Sequence, residues 1–296
     1  MRDFETRLPD GRAVEIASHG DESGFPVFAF HGTPFSNGYW GVVDEVARRR
    51  GVHVLAPDRP GIGGSDPHPL PFVATYAEDV GAMADGLDLA RIAVVGHSGG
   101  GPFALACGAI MPERVTAVAT LAGVAPLDTP GVEERLGPGD RRFLHLLWEG
   151  KEGSARRRIK MLGAAARYLP WLAVAGMKRS ASDSEKEVLQ QWGRPLVDAL
   201  GEAFDQGPAA ALNEYRLFST SENWGFEPGD ISVPVHVWQG EDDQNTDPIH
   251  ALALAELMPQ AELHLLSGVG HPVMATHFNE VLDSLGIPSG VDRGGD

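Results

Sequence analysis

The sequence predicts an α/β fold: a mostly parallel central sheet, flanked by helices and interrupted by a helical insertion. Three observations predict it. Short apolar runs alternate with helix-patterned segments between about residues 26 and 121. Strands covered on both faces read as such continuous apolar runs. The alternation stops between about 128 and 229, where no buried strand is visible. It returns between 235 and 285, so the insertion interrupts one α/β unit and does not follow it.

The elements follow in order. Residues 4–17 alternate as two strands around the Pro9-Asp10-Gly11 turn. Residues 26–30 read as a buried strand ending at His31-Gly32, and 39–50 as a helix. Residues 53–56 form a strand, followed by the Gly- and Pro-rich loop 57–65. In residues 75–89, Val80, Met83, Ala84 and Leu87 share one helical face, with Glu78 and Asp79 near the N-terminus where the helix dipole favours them. A strand at 91–95, a helix at 99–111 and a strand at 115–121 complete the first part. Within the insertion, helical stretches include 141–150, 154–168, 184–203 and 209–218. Strands at 235–238 and 262–266 then alternate with helices at 249–258 and 272–285. The expected organisation is a core from 1–127 and 231–296 with a cap at 128–230. The last stretch, 286–296, is expected to be a frayed tail.

Composition bounds the function classes. The 296 residues are 43% hydrophobic, enough for a full core. Twenty-four Lys and Arg against 41 Asp and Glu give a net charge of −17. That charge repels phosphate backbones and anionic headgroups, so neither nucleic acid nor membrane is an expected partner. The single cysteine, Cys107, lies in an apolar run and reads as a packed core residue. The N-terminal segment has no apolar signal region, and no apolar run reaches transmembrane length. A cytoplasmic monomer or homodimer acting on a small molecule is the expectation.

The chemistry centres on Gly96-His97-Ser98-Gly99-Gly100, a G-x-S-x-G pentapeptide. The bare motif is weak. Its context is strong, because the apolar run 92–95 precedes it as a strand would and 101–110 follows as a helix would. A sharp strand-to-helix turn exposes a serine above the sheet and points the next backbone N–H groups at the reacting atom. A second N–H donor belongs on a loop after a neighbouring strand. Thr33, in His31-Gly32-Thr33-Pro34, is the best candidate, paired with Gly99.

A general base is expected late in the chain. Of eleven histidines, His271 stands after the last strand and before the last helix. His145 lies on a helix, and His236 and His264 lie inside strands. His97 flanks the serine and reads as structural or wall-forming. The acid that orients the base is expected in the loop after the strand at 235–238, where Glu241, Asp242, Asp243 and Asp247 are candidates. Only one of them can point at His271.

With these pieces the chain resembles the α/β-hydrolase superfamily in its cap-bearing branch. The matching segments are HGTP at 31–34, DRPGIGGSD at 58–66, VVGHSGGG at 94–101, GEDD at 240–243 and GVGHP at 268–272, and the resemblance spans about 4–285. It implies an α/β-hydrolase fold with Ser98, Asp243 and His271 as catalytic triad. Asp242 is the runner-up acid, and the oxyanion hole falls on the Thr33 and Gly99 N–H groups. Epoxide hydrolases and haloalkane dehalogenases look similar but carry an aspartate where this chain has Ser98. Proline iminopeptidases usually carry a more Gly-rich loop than His31-Gly32-Thr33-Pro34. The implied activity is acyl transfer on a small, uncharged, apolar ester or related carbonyl compound, with no metal or organic cofactor. Perhydrolysis, C–C bond hydrolysis, cofactor-free oxygenation, iminopeptidase-like amide hydrolysis and a non-catalytic ligand receptor are the alternatives. Four of six tryptophans, Trp148, Trp171, Trp192 and Trp224, fall in the insertion. They either wall an apolar pocket or form the insertion's own core. The basic run at 156–160 reads as a solvated helix face.

Overall fold

The computed structural model describes residues 2–287. Eight strands form one sheet: β1 (Arg2–Arg7), β2 (Ala13–Gly20), β3 (Phe25–Phe30), β4 (Val52–Pro57), β5 (Ile92–His97), β6 (Val115–Leu121), β7 (Val235–Gly240) and β8 (Glu262–Leu266). The spatial order is β1-β2-β4-β3-β5-β6-β7-β8. β2 pairs antiparallel with both β1 and β4, and every other pairing is parallel. The chain therefore steps one way from β3 to β4 and the other way from β5 onward. This reversal opens a crevice above the carboxyl ends of β3 and β5, where open α/β sheets collect ligands.

Helices α1 (Asp44–Arg50), α2 (Thr75–Gly86), α3 (Gly101–Ile110), α9 (Ile249–Leu257) and α10 (Val273–Ser284) flank the sheet. Successive strand side chains point to opposite faces. Phe28, Leu55 and Val94 enter one core layer with α2 and α3. Val27, Val54 and Val95 enter the other, with α1 and α10. Cys107 is fully buried in the first layer, and burial pushes its thiol well above the usual range. Among the described residues no helix is long and apolar enough to cross a membrane.

Between β6 and β7 stand α4 (Pro138–Trp148), α5 (Glu152–Tyr168), α6 (Pro170–Ser180), α7 (Asp183–Glu202) and α8 (Ala209–Phe218). They share the two main cores. Phe143 and Leu144 join the layer of Phe28, and Val188 and Leu189 join that of Val27. Ala166, Val197 and Leu200 make a separate small cluster.

Several local expectations are corrected. The segment expected as one helix from 39 to 50 begins as a 3-10 helix, Asn37–Val43, and only then becomes α1. Gly38 and Gly41 weaken its α-propensity. Helix α6 adds to the helical stretches named from the sequence; Pro170 and Gly176 blur its pattern. The expected tail starts too early: Ile287 is buried and accepts a 2.9 Å hydrogen bond from Arg50 at its carbonyl. Residues 288–296 of that tail lie outside the described residues.

Candidate active site

Ser98 follows β5 with φ +51°, a left-handed conformation that a side-chain-bearing residue adopts at a cost. Its neighbours show why the turn holds. A Cβ on Gly96 would meet the Gly100 carbonyl oxygen at 2.2 Å, and one on Gly100 would meet the Phe30 carbonyl oxygen at 2.2 Å. Glycine at both positions lets strand, turn and α3 close on each other beneath the serine.

Asp243 and His271 come from the loops after β7 and β8. His271 Nδ1 lies 2.8 Å from Asp243 Oδ2. The other carboxylate oxygen, Oδ1, accepts from the backbone N–H groups of Asn245 (2.8 Å) and Thr246 (3.0 Å). Burial raises the Asp243 pKa, and the facing imidazole and N–H donors outweigh it, leaving the group below its usual value. His271 shows the converse. Burial lowers its pKa, while the Asp243 carboxylate, with Glu185 and Asp140, more than offsets that and raises it above 6.5. A carboxylate only accepts, so Nδ1 carries the proton and the neutral ring keeps its lone pair on Nε2. Asp242 is exposed, and among the described residues the carboxylate hydrogen-bonded to the His271 ring is that of Asp243. Ser98 and His271 line one cavity, but among the described residues Ser98 Oγ and His271 Nε2 are not hydrogen-bonded. In unliganded sites this leg is commonly long.

The histidine loop is held from two sides. His97 Nε2 lies 2.9 Å from the His271 carbonyl oxygen, and His97 Nδ1 lies 3.0 Å from the Tyr39 hydroxyl. Burial pushes the His97 pKa down to about 3, so the ring is neutral. Its single N–H must face the carbonyl, and Tyr39 donates to Nδ1. From the other side, α7 begins with a capping box between Ser182 and Glu185. Glu185 Oε1 also accepts from the His271 N–H at 3.2 Å, and Ser184 Oγ accepts from the Gly270 N–H at 3.1 Å.

Thr33 and Gly99 approach closely. A Cβ on Gly99 would lie 3.1 Å from Thr33 N and still closer to the Thr33 side chain. Among the described residues the Thr33 N–H is used in no hydrogen bond. The loop is anchored beneath by Arg59, which is fully buried. Arg59 Nε and Nη2 donate to Glu214 of α8 at 2.6 and 2.9 Å, and Nη1 donates to the His31 carbonyl at 2.6 Å. The Thr33 hydroxyl also donates to Glu214.

The cavity at Ser98 has a volume of about 260 Å³. Its walls are mostly apolar, with Phe35, Met177, Val188, Leu189, Leu196 and Leu200 prominent. None of Trp148, Trp171, Trp192 or Trp224 lines it. Trp224 is core, Trp148 and Trp171 are exposed, and Trp192 packs against the core. Asp140 enters the cavity from α4 with its Oδ1 accepting from the Tyr215 hydroxyl at 2.6 Å, and burial raises its pKa. Among the described residues one set of side chains has metal-ligand spacing, His236, Glu262 and His264 on β7 and β8. It sits toward the start of these strands, away from the loops that carry Asp243 and His271.

Sequence reasoning missed Tyr39, Arg59, Asp140, Glu185 and Glu214 as site residues. The Ser182-Asp183-Ser184-Glu185 pattern is a capping-box signal that could have marked a helix start, but it carries no sign of the second contact to His271. Asp140 and Glu214 belong to the insertion, where no motif marks them.

The chain matches the model of the alpha/beta hydrolase family over residues 27–283. It is 29% identical over 276 residues to a non-heme chloroperoxidase of Streptomyces lividans, covering 90% of this chain and 92% of that protein. It is 33% identical over 269 residues to a 2-hydroxymuconate semialdehyde hydrolase of Pseudomonas sp. (strain CF600), covering 88% and 84%. Among solved structures, a bromoperoxidase from Bacillus anthracis superposes with a TM-score of 0.70 at 19% identity, covering 96% and 99%.

Proposed function

Since the chain belongs to the alpha/beta hydrolase family, we propose that it is a serine hydrolase performing acyl transfer on a small carbonyl substrate, with Ser98 as nucleophile. The observation that carries this reading is the 2.8 Å His271–Asp243 contact on the wall of the cavity that holds Ser98. Asp243 holds the His271 N–H on Nδ1, which leaves Nε2 free to take the Ser98 proton. Ser98 Oγ attacks the carbonyl carbon. The Thr33 and Gly99 N–H groups stabilise the oxyanion, helped by the start of α3. His271 then returns its proton to the leaving group. Water, deprotonated by the same ring, resolves the acyl-enzyme.

The insertion acts as a cap. Its α6 and α7 supply Met177, Val188, Leu189, Leu196 and Leu200 to the cavity, which suits an apolar group beside the scissile bond. A chromogenic short-chain ester should be turned over, and Ser98→Ala should abolish that turnover. Absence of ester turnover in folded protein would remove the ester as its substrate class. A second reading, hydrolysis of a C–C bond beside a ketone, is favoured by the identity to the semialdehyde hydrolase. Loss of the absorbance of 2-hydroxymuconate semialdehyde, with no ester turnover, would select it.

A further inference from the structure

The net charge that argues against anionic membranes is unevenly placed. Residues 151–180 contain eight Lys and Arg and one Asp or Glu, a net of +7, so the rest of the chain carries −24. The same stretch, α5 and α6, holds Met161, Leu162, Tyr168, Leu169, Trp171 and Leu172. These are half of the large apolar side chains that stand exposed among the described residues; Tyr168 is 75% and Trp171 70% exposed.

Helical spacing makes these features one face. Arg157, Met161 and Tyr168 fall in one stripe of α5, and Arg158, Leu162 and Leu169 in the next. Trp171 and Leu172 open α6 immediately beyond. Arg156 is paired with Glu152 and Arg167 with Asp205. Arg157, Arg158, Lys160, Lys178 and Arg179 meet no carboxylate among the described residues, in a chain with 41 of them.

We propose that this α5–α6 corner docks on an anionic lipid bilayer. Exposed tryptophan, tyrosine and leucine beside unpaired arginine and lysine are the groups that settle at the headgroup boundary. Anionic lipids supply the counter-charge. A second copy apposed through the same face would set +7 against +7, so charge complementarity favours lipid as the occupant. The −24 remainder is repelled by the same surface and turns the corner toward it. The helices lie on the bilayer and do not enter it as spans.

Docking at this corner also faces the catalytic cavity. A second cavity of about 670 Å³ has Arg157, Arg158 and Met161 on its wall, and it shares Pro34, Asp140 and Leu162 with the cavity at Ser98. A lipophilic ester leaving the bilayer would enter there. This step alone rests on the proposed hydrolase activity.

The test uses the full-length Ser98→Ala protein and vesicle co-sedimentation, so that turnover plays no part. Vesicles containing about one-third phosphatidylglycerol should bind roughly tenfold more protein than pure phosphatidylcholine vesicles, and high salt should release it. Trp171→Ser with Tyr168→Ser, and separately Arg157→Gln with Arg158→Gln, should each weaken binding about tenfold. These side chains are exposed, so melting temperatures should stay unchanged. Equal binding to both vesicle types, or none to either, would overturn the proposal. So would sedimentation velocity showing a dimer that Trp171→Ser dissociates, because the face would then belong to a second copy. A wild-type protein that binds anionic vesicles but hydrolyses no ester would leave the docking surface standing and remove the ester-hydrolase reading.

Discussion

Glu214→Ala tests whether the insertion and the loop at 31–34 are joined by a buried charge pair. Arg59 is fully buried and Glu214 is 3% exposed, with guanidinium and carboxylate in two-point contact at 2.6 and 2.9 Å. Removing the carboxylate leaves a buried cation with no counter-charge, although the His31 carbonyl still accepts from it, and costs about 3–5 kcal/mol. For a chain of this size roughly 2 °C of melting temperature is lost per kcal/mol, so Tm should fall by about 6–10 °C. Thr33 loses its hydrogen-bond acceptor in the same step. Ester kcat should therefore fall as well, with KM less affected. The double variant Arg59→Met, Glu214→Leu removes both charges and should recover most of the lost stability while kcat stays low. Thermal melts and steady-state kinetics on the three proteins decide it. A single variant costing under about 1 kcal/mol, or a double variant as unstable as the single, would refute the buried-pair reasoning.

Other outcomes follow from the same geometry. Asp243→Asn should lower kcat by orders of magnitude by favouring the wrong imidazole tautomer, while Asp242→Asn, on an exposed side chain, should do little. In the proposed mechanism His271 acts as a neutral base and its pKa is raised above 6.5, so kcat/KM should fall on the acid side with a midpoint above pH 6.5. The residual activity of Asp243→Asn should have its midpoint at lower pH. Burial lowers the pKa of His97 to about 3 and of His19 and His250 to about 4. Below pH 6.5 the unfolded chain takes up protons at these sites that the folded chain refuses, so stability is lost as pH falls. At pH 5.5 the three groups together should cost about 4 kcal/mol, partly offset by His271, whose raised pKa works in the opposite direction. Among the described residues His19 has no hydrogen-bond partner on either ring nitrogen. His19→Phe should shrink the acid loss at pH 5.5 by about 1 kcal/mol, and equal acid sensitivity in wild type and variant would contradict that. Leu189→Trp should reduce kcat/KM for long acyl chains more than for acetyl, since Leu189 lines the cavity at Ser98; an unchanged ratio would remove it as a specificity determinant.

What was legible in the sequence was local or carried by motif. The apolar runs that became β3, β4, β5 and β6 were visible because strands buried on both faces tolerate little else. Ser98 was visible because its turn demands small neighbours at fixed spacing. The contacts that support the site were not legible, because they join residues far apart in the chain: Arg59 to Glu214, His97 to the His271 carbonyl, Glu185 to the His271 N–H. No periodicity encodes which side of the insertion faces the serine. For the same reason the four tryptophans were poor guides to the pocket, and the basic run at 156–160 read as a solvated helix face. Its position beside Met161, Tyr168 and Trp171 is what suggests a partner for it.

The most direct test of a triad centred on Ser98 is intact-mass and peptide mapping of the native protein after reaction with a fluorophosphonate. One adduct on Ser98 is predicted, absent in Ser98→Ala and formed much more slowly in His271→Ala. An adduct on a different residue, or no adduct on folded protein, would contradict Ser98 as the nucleophile.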